Sequence, residues 1–164
     1  MTSTGAFDAL PPATAVTVLR SVCSSSRWAE AVAAGRPYGE LDALLAAADK
    51  ALDELDEEGI AEALAGHPRI GAREVHSATS RREQSGMAEA SDGVRAAIAE
   101  GNAEYERRFG HVYLVCAAGR GADELLRVLT ERLDTTPEQE AARTRAELGA
   151  INRLRLTGLI VQDR

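Results

Sequence analysis

Four short stretches of the sequence carry groups that could move a proton or grip a small polar molecule. In Gly66-His67-Pro68-Arg69-Ile70-Gly71, one of the three histidines stands directly before a proline. Proline disfavours the α region for the residue before it, so a helix ending at Gly66 leaves His67 extended or in a turn with a fixed exit angle. Imidazole titrates near neutral pH, which suits a general acid or base. The same residues also read as an ordinary helix stop, with Gly66 and Pro68 ending the backbone and His67 near the last carbonyls. His76 and His111 have no comparable setting and the histidines show no metal-ligand spacing, so surface or packing roles are expected for those two, and no metal site.

Ser80-Arg81-Arg82-Glu83-Gln84 is the second stretch. On a helix Ser80, Glu83 and Gln84 stand at i, i+3 and i+4, so a hydroxyl, a carboxylate and a carboxamide leave one face together. Ser-x-x-Glu is equally a capping box, in which both side chains bond to backbone amides. Arg155 is the third feature. Leu148, Ile151, Arg155 and Leu159 fall within a sector of roughly 80° on an ideal wheel, which places the guanidinium on an apolar stripe. It either snorkels to the rim or points inward, where a carboxylate is its natural partner. Arg153 lies outside the sector and reads as surface. The fourth is the run Val112-Tyr113-Leu114-Val115-Cys116 after Tyr105 and Phe109, which stand at i and i+4 as core residues. If the run is buried and not paired in a sheet, its backbone N–H and C=O groups are left for a flat ring with amide-like edges.

These groups must be positioned by helices. Alanine, leucine and glutamate dominate, and apolar spacing is mostly three or four, which predicts an all-α domain. Helices are expected around Val16 to Cys23, Trp28 to Val32, Leu41 to Leu55, Ile60 to Leu64, from Ser91 as cap to Phe109, and around Leu125 to Leu133. A last helix opens with Thr136 as N-cap, Pro137 at N1 and Gln139 at N3 and runs towards the C-terminus. The Val112–Cys116 run has no second run of its kind to pair with, so a buried connector is expected.

At 164 residues the chain is expected to form a single domain over 1–164, with 1–6 a flexible N-terminus. Asp and Glu outnumber Lys and Arg, 26 to 19, with no basic block, which argues against nucleic acid as a partner. Cys23 and Cys116 lie far apart and Cys116 sits in an apolar run, so reduced, buried thiols are expected. No apolar segment approaches about 18 residues, and neither end carries a recognisable targeting signal. No membrane association and a cytoplasmic location are expected.

Taken in order, "SRWAEAVAAGRPY", "HPRIG", "SRREQSGM", "NAEYERRFG", the apolar run and the closing "ELGAINRLRL" resemble the OHCU decarboxylase family. Its members convert 2-oxo-4-hydroxy-4-carboxy-5-ureidoimidazoline to (S)-allantoin at the end of urate oxidation. The resemblance implies an all-α fold, usually a homodimer, with no metal or organic cofactor and a small-molecule ureidoimidazoline carboxylate as substrate. It places the catalytic histidine on His67 and the catalytic glutamate on Glu83. Substrate-binding roles fall on Pro68, Ser80, Gln84 and Arg155, and on the backbone of Tyr113, Leu114, Val115, Cys116 and Ala117. Family members often carry Phe-Gly-Phe where this chain has Phe109-Gly110-His111. A non-catalytic helical module that binds a ureide would keep the same pocket residues without needing His67 to change protonation, and an interaction module whose exposed helices dock a partner is a second alternative.

Overall fold

The computed structural model describes residues 3–72 and 78–161, and His76 lies outside them. Every regular element among the described residues is helical: α1 Thr4–Asp8, α2 Pro12–Val22, α3 Ser26–Ala34, α4 Leu41–Asp53, α5 Glu57–Ala65, α6 Ala78–Glu83, α7 Asp92–Phe109, α8 Ala122–Leu133 and α9 Pro137–Val161, with a 3-10 turn at Ser85–Met87. No helix among them is long and apolar enough to cross a membrane. Two compact units emerge, one from residues up to Gly66 and from Gly149 onward, the other His67–Leu148.

In the first unit, Trp28 is fully buried and its indole N–H donates to the Ala48 carbonyl at 3.0 Å, tying α3 to α4. The leucine period of α4 buries Leu44, Leu45 and Leu52. Glu62 on α5 accepts both the N–H and the hydroxyl of Ser26 at 2.9 Å, satisfying the first turn of α3 from outside. Helix α1 has no counterpart in the apolar periodicity. Ser3 caps it, Thr4 and Phe7 are buried, and Arg36 donates to the carbonyls of Phe7, Asp8 and Leu10 at its end. Arg153 pairs with Asp49 on the exposed surface, as its place on the wheel predicts.

In the second unit, Ser91 caps α7 by accepting the Val94 N–H at 3.2 Å, and the helix ends at Gly110 in the left-handed region. Thr136 and Gln139 form the predicted capping box of α9, with both reciprocal bonds made, at 3.1 and 3.2 Å. The core joins Ile98 and Tyr105 of α7 to Leu125, Val128 and Leu129 of α8. The rings of Tyr105 and Phe109 pack with centroids 4.6 Å apart and planes tilted by 47°, as their i, i+4 spacing predicts. Residues 112–117 form neither helix nor strand, and Tyr113, Val115 and Ala117 are buried in the same core. The apolar run is therefore a buried connector.

Candidate active site

Helix α5 stops at Gly66, whose φ of −83° is helical. Space rather than conformation favours glycine there, since a Cβ would stand 1.9 Å from Ser24 Oγ and would force that hydroxyl to turn aside. His67 follows in a bend, half-buried, with Pro68 half-buried beside it.

The next three residues are tied down by side chains from two helical segments of the second unit. Gln84 Oε1 accepts the Gly71 N–H at 3.1 Å and its Nε2 donates to the Arg69 carbonyl at 3.4 Å. From α7, Asn102 Nδ2 donates to the Ile70 carbonyl at 3.0 Å, and Glu106 receives the Arg69 guanidinium through two bonds of 2.6 and 3.0 Å. Asn102 and Glu106 are one helical turn apart, so one face of α7 holds both.

Ser80 lies inside α6 and is 3% exposed, so it is not the helix N-cap and the capping-box alternative fails. Its hydroxyl, the half-buried carboxylate of Glu83 and Gln84 follow one another on a single turn, since the Gln84 N–H still donates to the Ser80 carbonyl at 3.0 Å. Beyond it the chain tightens into the 3-10 turn. A Cβ on Gly86 would come within 2.0 Å of the Arg120 carbonyl oxygen, so this turn lies directly against the end of the connector. From "SGMAEA" Met87 enters the core and Ala90 packs against it.

The connector is held by charged side chains. Arg132 Nη1 donates to the Leu114 carbonyl at 2.5 Å, and the Cys116 N–H donates to Glu147 Oε2 at 2.9 Å. Arg132 and Glu140, 3% and 1% exposed, form a buried ion pair. Tyr105 donates its hydroxyl to the same Glu140 oxygen at 2.6 Å, and Thr135 donates to the other at 2.9 Å. Burial alone would raise the Glu140 carboxyl; the bonds from Arg132 and Tyr105 outweigh it and hold it below its ordinary value. Burial pushes the Tyr113 and Tyr105 hydroxyls up, so both stay protonated. Cys116, expected buried, is half-buried and free. Burial raises its thiol, and the carboxylates of Glu147 and Glu83 add to the rise, which sets Glu83 within electrostatic reach of the connector.

The structure thus gathers His67, Ser80, Glu83, Gln84 and the 113–117 backbone in the second unit. Arg155 belongs to the first, where it is half-buried and Nη1 donates to the Val22 carbonyl at 2.9 Å. His111 is half-buried with its ring edge-on to Tyr105 at 5.5 Å, a packing role. Residues that hydropathy overlooks are Asn102, Glu106, Arg132, Glu140 and Glu147. A signal for Arg132 exists: it follows Leu125 and Leu129 at i+7 and i+3, on the apolar stripe of α8.

The family model for OHCU decarboxylase matches residues 8–157. The chain is 30% identical over 144 residues to the Arabidopsis thaliana uric acid degradation bifunctional protein TTL, covering 84% of this chain and 43% of that protein. It is 33% identical over 138 residues to the Amia calva 2-oxo-4-hydroxy-4-carboxy-5-ureidoimidazoline decarboxylase, covering 80% of this chain and 79% of that one. The chain thus spans under half of the bifunctional relative and about four-fifths of the Amia calva protein. A crystal structure of OHCU decarboxylase in the presence of (S)-allantoin superposes with a TM-score of 0.76 at 26% identity, over 88% of this chain and 96% of that one. With its motifs in order, its helices in place and the family model spanning residues 8–157, the chain belongs to the OHCU decarboxylase family.

Proposed function

We propose that this chain is a carboxy-lyase that converts 2-oxo-4-hydroxy-4-carboxy-5-ureidoimidazoline to (S)-allantoin in urate degradation, acting as one domain. Family membership over residues 8–157 supports the activity. The substrate carries its carboxylate and hydroxyl on a carbon next to a C=N bond. When the bond to CO2 breaks, its electron pair forms a carbon–carbon double bond and the imine pair moves to nitrogen, which gains a proton. The enol hydroxyl then loses its proton and the carbon bearing the ureido group gains one. The electron sink is part of the substrate, so the chemistry asks the protein only for orientation, proton transfer and protonation of one face. Independence of metal and organic cofactors belongs to the proposal, as do a homodimer and a cytoplasmic location.

His67 is assigned to proton transfer, at the substrate hydroxyl or the nascent enol. Its place in a bend between Gly66 and Pro68, with residues 69–71 bonded to Gln84, Asn102 and Glu106, supports a fixed imidazole. Glu83 is assigned to hydrogen bonding that polarises the substrate and sets the histidine's protonation. Pro68, Ser80 and Gln84 are assigned to holding the ring and ureido groups, with the backbone from Tyr113 to Ala117 along the ring's edge. Arg155 is assigned, on the family resemblance, to the carboxylate or the ring oxygens. A guanidinium clamped on the departing carboxylate would stabilise the ground state and slow CO2 loss, which favours the ring oxygens.

The test mixes fresh products of uricase and hydroxyisourate hydrolase with the protein and follows allantoin by circular dichroism. Optically active (S)-allantoin formed faster than spontaneous decay supports the function. Racemic product at the spontaneous rate overturns it and favours a non-catalytic ureide-binding module.

A further inference from the structure

The two peptide groups that flank Val115 are each gripped from outside by a buried charge. Arg132 bonds the Leu114 carbonyl at 2.5 Å and Glu147 bonds the Cys116 N–H at 2.9 Å. The two residues are 3% and 6% exposed. In a trans peptide the C=O and the N–H point in opposite directions. The Val115 N–H, in one peptide with the Leu114 carbonyl, is therefore turned away from Arg132. Likewise the Val115 carbonyl, in one peptide with the Cys116 N–H, is turned away from Glu147.

Tyr113, Val115 and Ala117 enter the core cluster and Leu114 and Cys116 do not, which is the period of an extended chain. In an extended chain the N–H and C=O of one residue face the same edge. Val115 thus offers a donor and an acceptor side by side, and neither has a hydrogen-bond partner among the described residues although Val115 is 2% exposed. Hydrogen bonds in a chain polarise one another. A cation on the Leu114 carbonyl strengthens the Val115 N–H as donor, and an anion on the Cys116 N–H strengthens the Val115 carbonyl as acceptor. Each charge is itself balanced, Arg132 by Glu140 and Glu147 by Arg143 at 3.0 Å.

We propose that Arg132 and Glu147 are positioning residues that orient and polarise the Val115 edge for a ligand carrying an acceptor and a donor side by side, the edge of a ureide or cyclic amide. The proposal rests on the decarboxylase function for the identity of the ligand. It makes Glu147 a determinant of ligand affinity without contact between Glu147 and ligand.

The full chain, Glu147→Ala and Glu147→Gln are compared in steady-state turnover of the ureidoimidazoline and in (S)-allantoin titrations followed by amide proton–nitrogen spectra. Loss of a hydrogen bond to a charged group predicts a KM raised about tenfold in E147A with kcat little changed. E147Q, which keeps an acceptor for the Cys116 N–H, recovers most of that loss. In the unmutated chain the Val115 amide resonance shifts on adding (S)-allantoin, and in E147A it needs about tenfold more ligand. A purely structural role would lower the melting temperature of E147A without moving KM, and that result overturns the proposal. So does a Val115 resonance indifferent to high (S)-allantoin. Should E147A not fold, E147Q carries the test: an allantoin response identical to the unmutated chain although the Cys116 amide resonance has moved, marking its bond to residue 147 as lost, overturns it. Failure of the decarboxylase function is seen separately, as no turnover by the unmutated chain.

Discussion

Gln84 holds the backbone of Gly71, its carboxamide oxygen accepting the Gly71 N–H at 3.1 Å while its nitrogen donates to the Arg69 carbonyl at 3.4 Å. A side chain assigned to the substrate thereby also ties down the loop that follows His67, with one N–H and one lone pair of its carboxamide left over. Gln84→Ala removes two hydrogen bonds worth about 1 kcal/mol each and lets that loop drift. The expected outcome is a lowered melting temperature together with a kcat reduced between about tenfold and a hundredfold. Calorimetry and steady-state kinetics check it. A raised KM with unchanged melting temperature would mean that the amide serves substrate alone.

Arg132 and Glu140 form a buried pair on which the connector depends. Removing the cation leaves the carboxylate uncompensated, so Arg132→Met should destabilise the chain by about 3–5 kcal/mol. Urea denaturation of that variant and of R132M/E140M checks the cause, since removing both charges should restore part of the loss.

The same pair fixes a pH dependence. The folded Glu140 carboxyl is held below its ordinary value of 4.5, so its contribution is fully present above that value and disappears as pH falls through the folded value. The stability difference between the unmutated chain and Glu140→Gln should therefore be constant near neutral pH and shrink on acidification to about pH 3. A difference that stays constant throughout would show that Glu140 is not depressed.

Gly86 leaves no room for a side chain, because a Cβ would lie 2.0 Å from the Arg120 carbonyl oxygen. Backbone cannot yield as a flexible side chain does. Gly86→Ala should cost about 1–3 kcal/mol, lowering the melting temperature by roughly 2–4 °C per kcal/mol, and should raise KM by displacing the connector. An unchanged melting temperature and KM would contradict the close approach.

The helices were legible because apolar period and caps coincide: Leu44, Leu45 and Leu52 are buried as their spacing requires, and Thr136 and Gln139 make both bonds of their box. Ser80 shows the limit of local pattern, since Ser-x-x-Glu is the same string at a helix start or within a helix, and only the earlier start of α6 decides. Arg132, Glu140 and Glu147 were not legible, because hydropathy assigns charges to the surface and their burial depends on partners from other elements. Along α9 the buried positions include Glu140, Thr144 and Glu147, so the stripe that packs inward in its first turns is polar. Helix α1 escaped for another reason: five residues are too few to show a period, and it is held by Arg36 and by burial of Phe7.

The proposed decarboxylation is most directly tested at His67, whose imidazole is assigned the proton transfer. Freshly generated ureidoimidazoline is given to the unmutated chain and to His67→Asn, both checked for folding, and allantoin formation is followed by circular dichroism. Rapid (S)-allantoin is expected with the unmutated chain, and a loss of nearly all acceleration in the folded H67N protein. Near-normal turnover to (S)-allantoin by H67N would contradict it.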